Sequence, residues 1–446
     1  MQKKILIVYE KMGKGHERMA NILQDILAAP DVEFVMMAGS DMLKASSVQT
    51  VVRTWNGFIR KNRIKTVDIL LNFLARLLWL PLEETRNVKQ LHDRMDAIHP
   101  DAVICTADMY SKLLGVYTRQ KGIPFYLVIT DLSIFCDLVN PHAMNICYFK
   151  ETIPAIRSYD FSLVYFSRPL DRSTSFRGKL AYVLAFYRDF IIHAFKNPIY
   201  RDIGTQMPSR NHAQVEVIGP LAEKKHYTHK DPIMCRTMLG IQNHDPIVLV
   251  ASGSIGGKML VDILRSICRR FCKPINLLVM CGNDTTVYQQ ICHTSTHSNL
   301  IHVKPYGYVN NFEDFLACAD CVILRPSAGI FIESLLHGTP AIAMCPSTSN
   351  DKGSLEMIRK YRLGEICKNQ ADLADILIRI LDRNLEYRAN IRALLAEYPS
   401  TYPAISEHIR ALVYTGRKIE SECVVTPEAY AIPNPVTANS YASGTE

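Results

Sequence analysis

The sequence predicts an α/β protein of two doubly wound halves that face one another across a cleft. Three observations predict it. Short apolar runs, such as Ile5 to Tyr9, Pro246 to Ala251 and Cys321 to Leu324, alternate with segments of helical apolar spacing. Runs of that kind mark strands buried on both faces of a parallel sheet. Small-residue turns lead from strand to helix in both parts of the chain, at Gly13-Lys14-Gly15-His16, at Ser252-Gly253-Ser254-Ile255-Gly256-Gly257 and at Pro326-Ser327-Ala328-Gly329. Such turns leave backbone N–H groups free to hold an anion. Third, Asp131 closes an apolar strand, at the sheet edge where open α/β folds bind their ligands.

At 446 residues the chain is long enough for more than one domain, and 48% hydrophobic with 21% charged residues is ordinary for a globular protein. The net charge of +8 comes without Lys/Arg clusters interleaved with aromatics, so no nucleic-acid partner is expected. The apolar run after Lys4 is too short for a signal-peptide core and reads as a first strand. No segment offers an uninterrupted membrane span; the best, Thr66 to Leu82, contains Asp68 and Arg76. The 13 cysteines are scattered singly through apolar segments, as free thiols are in a reducing cytoplasm. Cys318-x-x-Cys321 straddles a helix end and a strand, and Cys292-His293 with His297 has no partner pair at zinc spacing, so no metal site is expected.

In chain order, the first strand is followed by a helix over about 17–28, with His16 at its N-terminus. The helix dipole there disfavours the imidazolium and leaves a neutral base. Glu33 to Met37 is the second strand. Between Arg53 and Arg76 six Lys/Arg, including Arg60, Lys61 and Arg63, stand against one acid, Asp68, beside an apolar helix bearing Trp79. That combination suits a membrane headgroup interface, with a core-packed helix as the alternative. Strands at 102–106, 125–130 and 145–149 follow, then a long insertion over 150–213 with an aromatic helix flanked by basic residues. It is a second candidate for membrane or acceptor binding. Val215 to Ile218 closes the first half, and 219 begins a linker.

The second half repeats the pattern, with strands at 246–251, 275–281 and 300–303, a helix over 311–319 and the strand 321–324. A new helix carries Glu333 one turn in, where a carboxylate can accept hydrogen bonds from a ribose. Residues 361–414 are mostly helical. The expected domains are 1–218, including the insertion, and 219–415, with 416–446 a disordered tail.

With these loops placed, the chain resembles the two-domain (GT-B) glycosyltransferases grouped with MurG and the monogalactosyldiacylglycerol synthases, over most of residues 1–380. Gly13-Lys14-Gly15-His16 is similar to the family's N-terminal G-x-G-H, and Thr130-Asp131 to the T-D of its lipid-glycosylating branch. The 252–257 loop is similar to the glycine loop opening the donor domain. Gly307-Tyr308-Val309 through Arg325-Pro326-Ser327-Ala328-Gly329 and Glu333 is similar to the donor-site signature. The resemblance implies two Rossmann-like domains and inverting transfer from a UDP-sugar to a lipid acceptor such as diacylglycerol, without a required metal or other cofactor. It implies a peripheral enzyme on the cytoplasmic face of the inner membrane, contacting an anionic surface. It places Gly253, Ser254, Arg325 and Ser327 to Gly329 by the diphosphate, Tyr308 and Val309 by the uracil, and Glu333 on the ribose. Gly13 and Gly15 fall on the acceptor side, with His16 and Asp131 as candidates for acceptor activation. The chain departs from the family pattern at Arg325, where Lys is usual, at Ser327-Ala328, where a second glycine is usual, and after Asp131, where the usual His and Trp are replaced by Phe135, Cys136 and Asp137. A UDP-sugar epimerase and a catalytically inactive nucleotide-sugar-binding scaffold share the fold and are the competing readings.

Overall fold

The computed structural model describes residues 2–12, 14–43, 46–193, 198–204, 207–253, 256–294, 299–399 and 401–415. Gly13, Ser254 and the expected tail over 416–446 lie outside the described residues.

The first half is built on a parallel sheet of β1 (Lys3–Tyr9), β2 (Val32–Ala38), β3 (Ala102–Cys105), β4 (Phe125–Val128), β5 (Met144–Cys147) and β6 (Val215–Val217), in the order β2-β1-β3-β4-β5-β6. Ile5 lies opposite both Phe34 and Ala102 in its register. Ile5 and Ile7 enter one apolar layer and Leu6 and Val8 the other, all fully buried. Both faces of the sheet are therefore covered, which is why the run from Ile5 to Val8 is apolar instead of alternating.

The second half repeats the design with β7 (Ile247–Ala251), β8 (Ile275–Met280), β9 (Ile301–Tyr306), β10 (Cys321–Leu324), β11 (Ala341–Met344) and β12 (Gly364–Cys367). Its order is β9-β8-β7-β10-β11-β12, again parallel. Pro305 is tolerated in β9 because that strand is at the edge, where a missing N–H costs no interior ladder bond. Strand order reverses between β1 and β3 in the first sheet and between β7 and β10 in the second. Reversal points of this kind open a crevice at the strands' carboxyl ends.

The helices that shape the site begin with α1 (Gly15–Leu27), α2 (Ser46–Arg60) and α3 (Leu80–Ile98). In the insertion lies α4 (Phe176–Ile192), and in the second half α5 (Lys258–Arg270), α6 (Thr285–Cys292), α7 (Ala328–Leu336) and α8 (Lys352–Tyr361). The expected apolar helix ahead of α3 is a π-helix over Asp68–Ala75, in which only Asn72 is buried. The wider i→i+5 turn changes which residues share a face. Ile69, Leu70 and Leu74 are thereby exposed, while Leu71, Phe73 and Leu77 pack against the core, so the segment has one outward and one core-packed side. Among the described residues no helix is long and apolar enough to cross a membrane.

A last helix, α9 (Tyr402–Thr415), returns to the first half. The Tyr126 hydroxyl donates to the Leu412 carbonyl at 3.2 Å, and Arg410 Nε donates to the Ile26 carbonyl at 2.5 Å. Closer to the cleft, the Gly353 N–H of α8 donates to Ser133 Oγ at 2.9 Å. Asp68, on the π-helix, accepts from the Ser349 N–H at 2.7 Å and its hydroxyl at 2.9 Å.

Candidate active site

Both strand-order reversals open on one cleft of about 500 Å³, lined by residues of each half. On the first-half wall, β1 ends and α1 begins with Gly15 and His16. The His16 Nδ1 is 2.6 Å from the Thr106 carbonyl, just beyond β3, and 3.1 Å from Thr130 Oγ1. A carbonyl only accepts, so Nδ1 carries a proton, and in the neutral ring the lone pair is on Nε2. The Thr106 hydroxyl donates to the His16 carbonyl at 3.0 Å, tying the helix start to the neighbouring strand. Nε2 has no partner among the described residues, and the ring lines the cleft.

Asp131 also lines the cleft, with Oδ2 accepting from Asn350 Nδ2 of the second half at 2.6 Å. Burial pushes its carboxyl up to about 6, against the opposing pull of His16 and the Asn350 hydrogen bond. It is thus mostly ionised at pH 7 and protonated below about 6.

On the opposite wall, β7 leads into Ser252-Gly253 and β10 into Arg325 to Gly329. Gly253 has φ +77°, a left-handed conformation that glycine adopts without strain. Ser327 is the extended residue before α7 and makes no side-chain cap, so the helix's first N–H groups are not capped by it. Gly329 is exposed with open space around its Cα, and Ala328 lines the cleft beside it. Arg325 lies 3.8 Å from Asp351, and its buried Nε has no hydrogen-bond partner among the described residues. Together these put a helix N-terminus that Ser327 does not cap beside a guanidinium, an arrangement suited to an anion.

Tyr308 is exposed and stacks under Lys14 Nζ at 5.0 Å, so that contact spans the two walls; Val309 lines the cleft beside it. Glu333 also lines the cleft, but it is buried and already partnered. Arg18 of α1 pairs with it, and His226 Nε2 lies 3.7 Å away. Arg18 Nε also donates to Glu223 at 2.6 Å. Burial works against the Arg18 charge, yet Glu333 and Glu223 more than offset it and raise its pKa. Burial pushes His226 far down and His337, 3.2 Å from it, down to about 4, so both are neutral at pH 7. The carboxylate expected to be free for a ribose is, in this structure, bonded to the first half.

Sequence reasoning missed Arg18, Thr106 and Asn350, none of which stands in a distinctive pattern. It also missed a buried cluster below the cleft, where Arg76 Nε donates to both Asp137 carboxylate oxygens at 3.1 Å and also pairs with Asp108. An apolar groove lined by Trp55, Leu71, Trp79, Leu80 and Met109 opens beside the cleft and shares Met12, Trp55, Asp108 and Asn350 with it. Trp79 lines this groove with its indole N–H bonded to Glu83, and is itself 37% exposed. Leu78 and Leu82 take the exposed positions around it, beside Ile69, Leu70 and Leu74. The helix α4 packs alongside, the Tyr187 hydroxyl donating to the Leu78 carbonyl at 2.8 Å, and adds exposed Phe176, Leu180, Leu184, Ile191 and Ile192. Arg60, Lys61 and Arg63 are exposed and line a separate pocket between the halves. Cys318 and Cys321 are buried free thiols.

Residues 247–356, which carry β7 to β11 and the turn from Arg325 to Gly329, match the family model described as the glycosyltransferase family 28 C-terminal domain. The chain has the GT-B fold, and its second half resembles the family 28 C-terminal domain. The fold as a whole aligns with the crystal structure of MurG from Acinetobacter baumannii at a TM-score of 0.54 and 14% identity, covering 92% of this chain and 99% of that one. A UDP-glucosyltransferase from Polygonum tinctorium aligns equally well, at a TM-score of 0.54 and 12% identity over 93% of this chain and 98% of that one. By sequence the GT-B chain is 20% identical over 167 residues to a processive diacylglycerol beta-glucosyltransferase of Bacillus pumilus, covering 36% of this chain and 42% of that protein. It is 23% identical over 201 residues to the UDP-N-acetylglucosamine–N-acetylmuramyl-(pentapeptide) pyrophosphoryl-undecaprenol N-acetylglucosamine transferase of Treponema denticola, covering 43% of this chain and 51% of that protein. The chain thus spans about half the length, or less, of these curated relatives.

Proposed function

We propose that this protein is a glycosyltransferase that moves a hexose from a UDP-sugar to a lipid acceptor at a membrane surface, inverting the anomeric centre. The observation that carries the reading is the pairing of walls: on one side a histidine whose Nε2 is unpartnered among the described residues, on the other a helix N-terminus uncapped by Ser327, with Arg325 beside it. In the proposed reaction His16 Nε2 accepts the acceptor's hydroxyl proton while that oxygen attacks the anomeric carbon. The bond to the diphosphate oxygen breaks on the opposite face, and UDP leaves with the electron pair. The N–H groups at the start of α7 and the Arg325 guanidinium stabilise the charge that develops there. Gly253 completes that cradle, with Tyr308 and Val309 by the base. Glu333 reaches the ribose once Arg18 yields.

The lipid acceptor and the membrane surface are supported by the exposed apolar strip of the π-helix and α4, next to the groove that joins the cleft. A soluble acceptor gives no reason to expose so many large apolar side chains side by side. The test is UDP release and product labelling with UDP-glucose, UDP-galactose and UDP-N-acetylglucosamine, with and without vesicles containing diacylglycerol. Lipid-dependent UDP release with a labelled glycolipid is expected. Sugar interconversion without acceptor would replace this reading with an epimerase, and UDP binding without turnover would replace it with a scaffold.

A further inference from the structure

Arg60, Lys61 and Arg63 end α2 and form the turn after it, and they line a pocket of about 730 Å³ at the seam between the halves. The facing wall belongs to the second half. Lys258 and Arg265, two turns apart on α5, share that wall with Thr285 and Thr286 of α6. Five cationic side chains therefore meet a single carboxylate in the lining, Asp284. Asp284 is engaged in capping α6, its Oδ1 accepting from the Val287 N–H at 3.1 Å. Lys258 is paired with Asp262 at 2.6 Å. Among the described residues Arg60, Lys61, Arg63 and Arg265 have no ion-pair partner.

Converging unpaired cations repel one another and hold a raised local potential. Here the two halves approach closely despite that. A Cβ at Gly257, itself at φ +120°, would meet the Arg60 carbonyl at 3.0 Å. A polyanion with several acceptor oxygens neutralises such a cluster and makes charge-assisted hydrogen bonds to each member.

The geometry points to a phosphate-binding site at this seam, in which a phosphomonoester or phosphodiester is held jointly by Arg60, Lys61 and Arg63 of the first half and Lys258 and Arg265 of the second. An anionic lipid headgroup is the source that the neighbouring surface favours. Exposed Ile69 and Leu70 lie six and seven residues beyond Arg63 on the same helical run, within about 10 Å at 1.5 Å per residue. The lipid as source rests on the membrane reading above; the phosphate site itself does not. Because Gly257 closes the loop that begins at Ser252, an anion bound across the seam steadies the same loop that lines the donor side of the cleft.

The test compares full-length protein with its Arg63→Glu and Arg265→Glu variants. Binding is measured to phosphatidylcholine vesicles with and without phosphatidic acid, and to glycerol 3-phosphate and inorganic phosphate in solution. Each reversal is expected to weaken phosphate-dependent binding at least about tenfold, and Arg265→Lys to retain it. If the variants lose vesicle binding and the soluble phosphates do not bind, the ligand is a lipid headgroup; if they lose soluble-phosphate binding, it is a free phosphate, and either result supports the site. Loss in Arg63→Glu with none in Arg265→Glu would overturn it, because docking would then need the first half alone. UDP affinity, read by titration, controls for folding. Absence of UDP binding in the unaltered protein would sink the transferase reading and leave this site standing.

Discussion

His16 is held at two points, its ring by the Thr106 carbonyl and its own carbonyl by the Thr106 hydroxyl. The first contact sets the tautomer and the second anchors the helix start, so removal of the imidazole leaves the backbone site in place. His16→Ala is expected to lower turnover by roughly a hundredfold or more with UDP affinity nearly unchanged. Full activity in that variant would remove His16 from the mechanism. Asp131 invites a different measurement. Its folded carboxyl sits at about 6, above the ordinary 3.8, so the fold favours the protonated form. The stability it contributes is present below about pH 4 and is lost as pH rises through 6. Asp131→Asn keeps the shape and cannot ionise. Its melting temperature relative to the unaltered protein should rise between pH 4 and pH 7, by the equivalent of about 2 kcal/mol or less. A difference that does not change with pH would show that the Asp131 charge is not buried at cost.

At the scale of elements, the π-helix over Asp68–Ala75 turns one segment to two uses. Asp68 reaches the second half through Ser349, Asn72 supports Arg76 through a 2.9 Å hydrogen bond, and Leu70 and Leu74 between them face outward. An α-helical turn would bring i and i+4 to one face and set these groups differently. Leu70, Leu74 and Leu78 are 44%, 41% and 54% exposed, so changing all three to Gln removes little from the core. The triple variant should melt near the unaltered protein and bind vesicles at least about tenfold more weakly, given the apolar area each leucine would bury in a bilayer. Unaltered sedimentation with vesicles would show that this strip does not contact lipid.

For the whole molecule, the decisive feature is how the halves are fastened. Arg18–Glu333, Asn350–Asp131, Asp68–Ser349 and Gly353–Ser133 all cross the seam around the cleft. Gly353 is the tightest of these. A Cβ there would meet the Leu132 carbonyl oxygen at 2.1 Å and its carbon at 2.3 Å, backbone atoms that cannot swing aside as a side-chain end can. Gly353→Val is therefore expected to prise the halves apart: a larger radius of gyration by solution scattering and at least about tenfold slower transfer, with UDP binding by the second half retained. Scattering identical to that of the unaltered protein would mean that the seam accommodates the side chain elsewhere.

What the sequence determined by itself is whatever depends on short-range pattern. Apolar runs such as Ile5 to Tyr9 and Cys321 to Leu324 can only be strands covered on both faces, and small-residue turns after strands announce helix N-termini open to anions. Those two signals were enough for the paired α/β halves, His16 at the start of α1, and Ser327 to Gly329 at the start of α7. The tertiary structure decided everything that requires residues far apart to meet. It sent α9 back onto the first half and closed Glu333 with Arg18. It also turned Trp79 into the groove, and set Arg60, Lys61 and Arg63 against Lys258 and Arg265. No local periodicity encodes such pairings. An Arg in a helix's first turn or on an exposed face has the same helical propensity whether its partner is water, a carboxylate three hundred residues away or a phosphate. Only the packing of the two sheets brings the partners within reach.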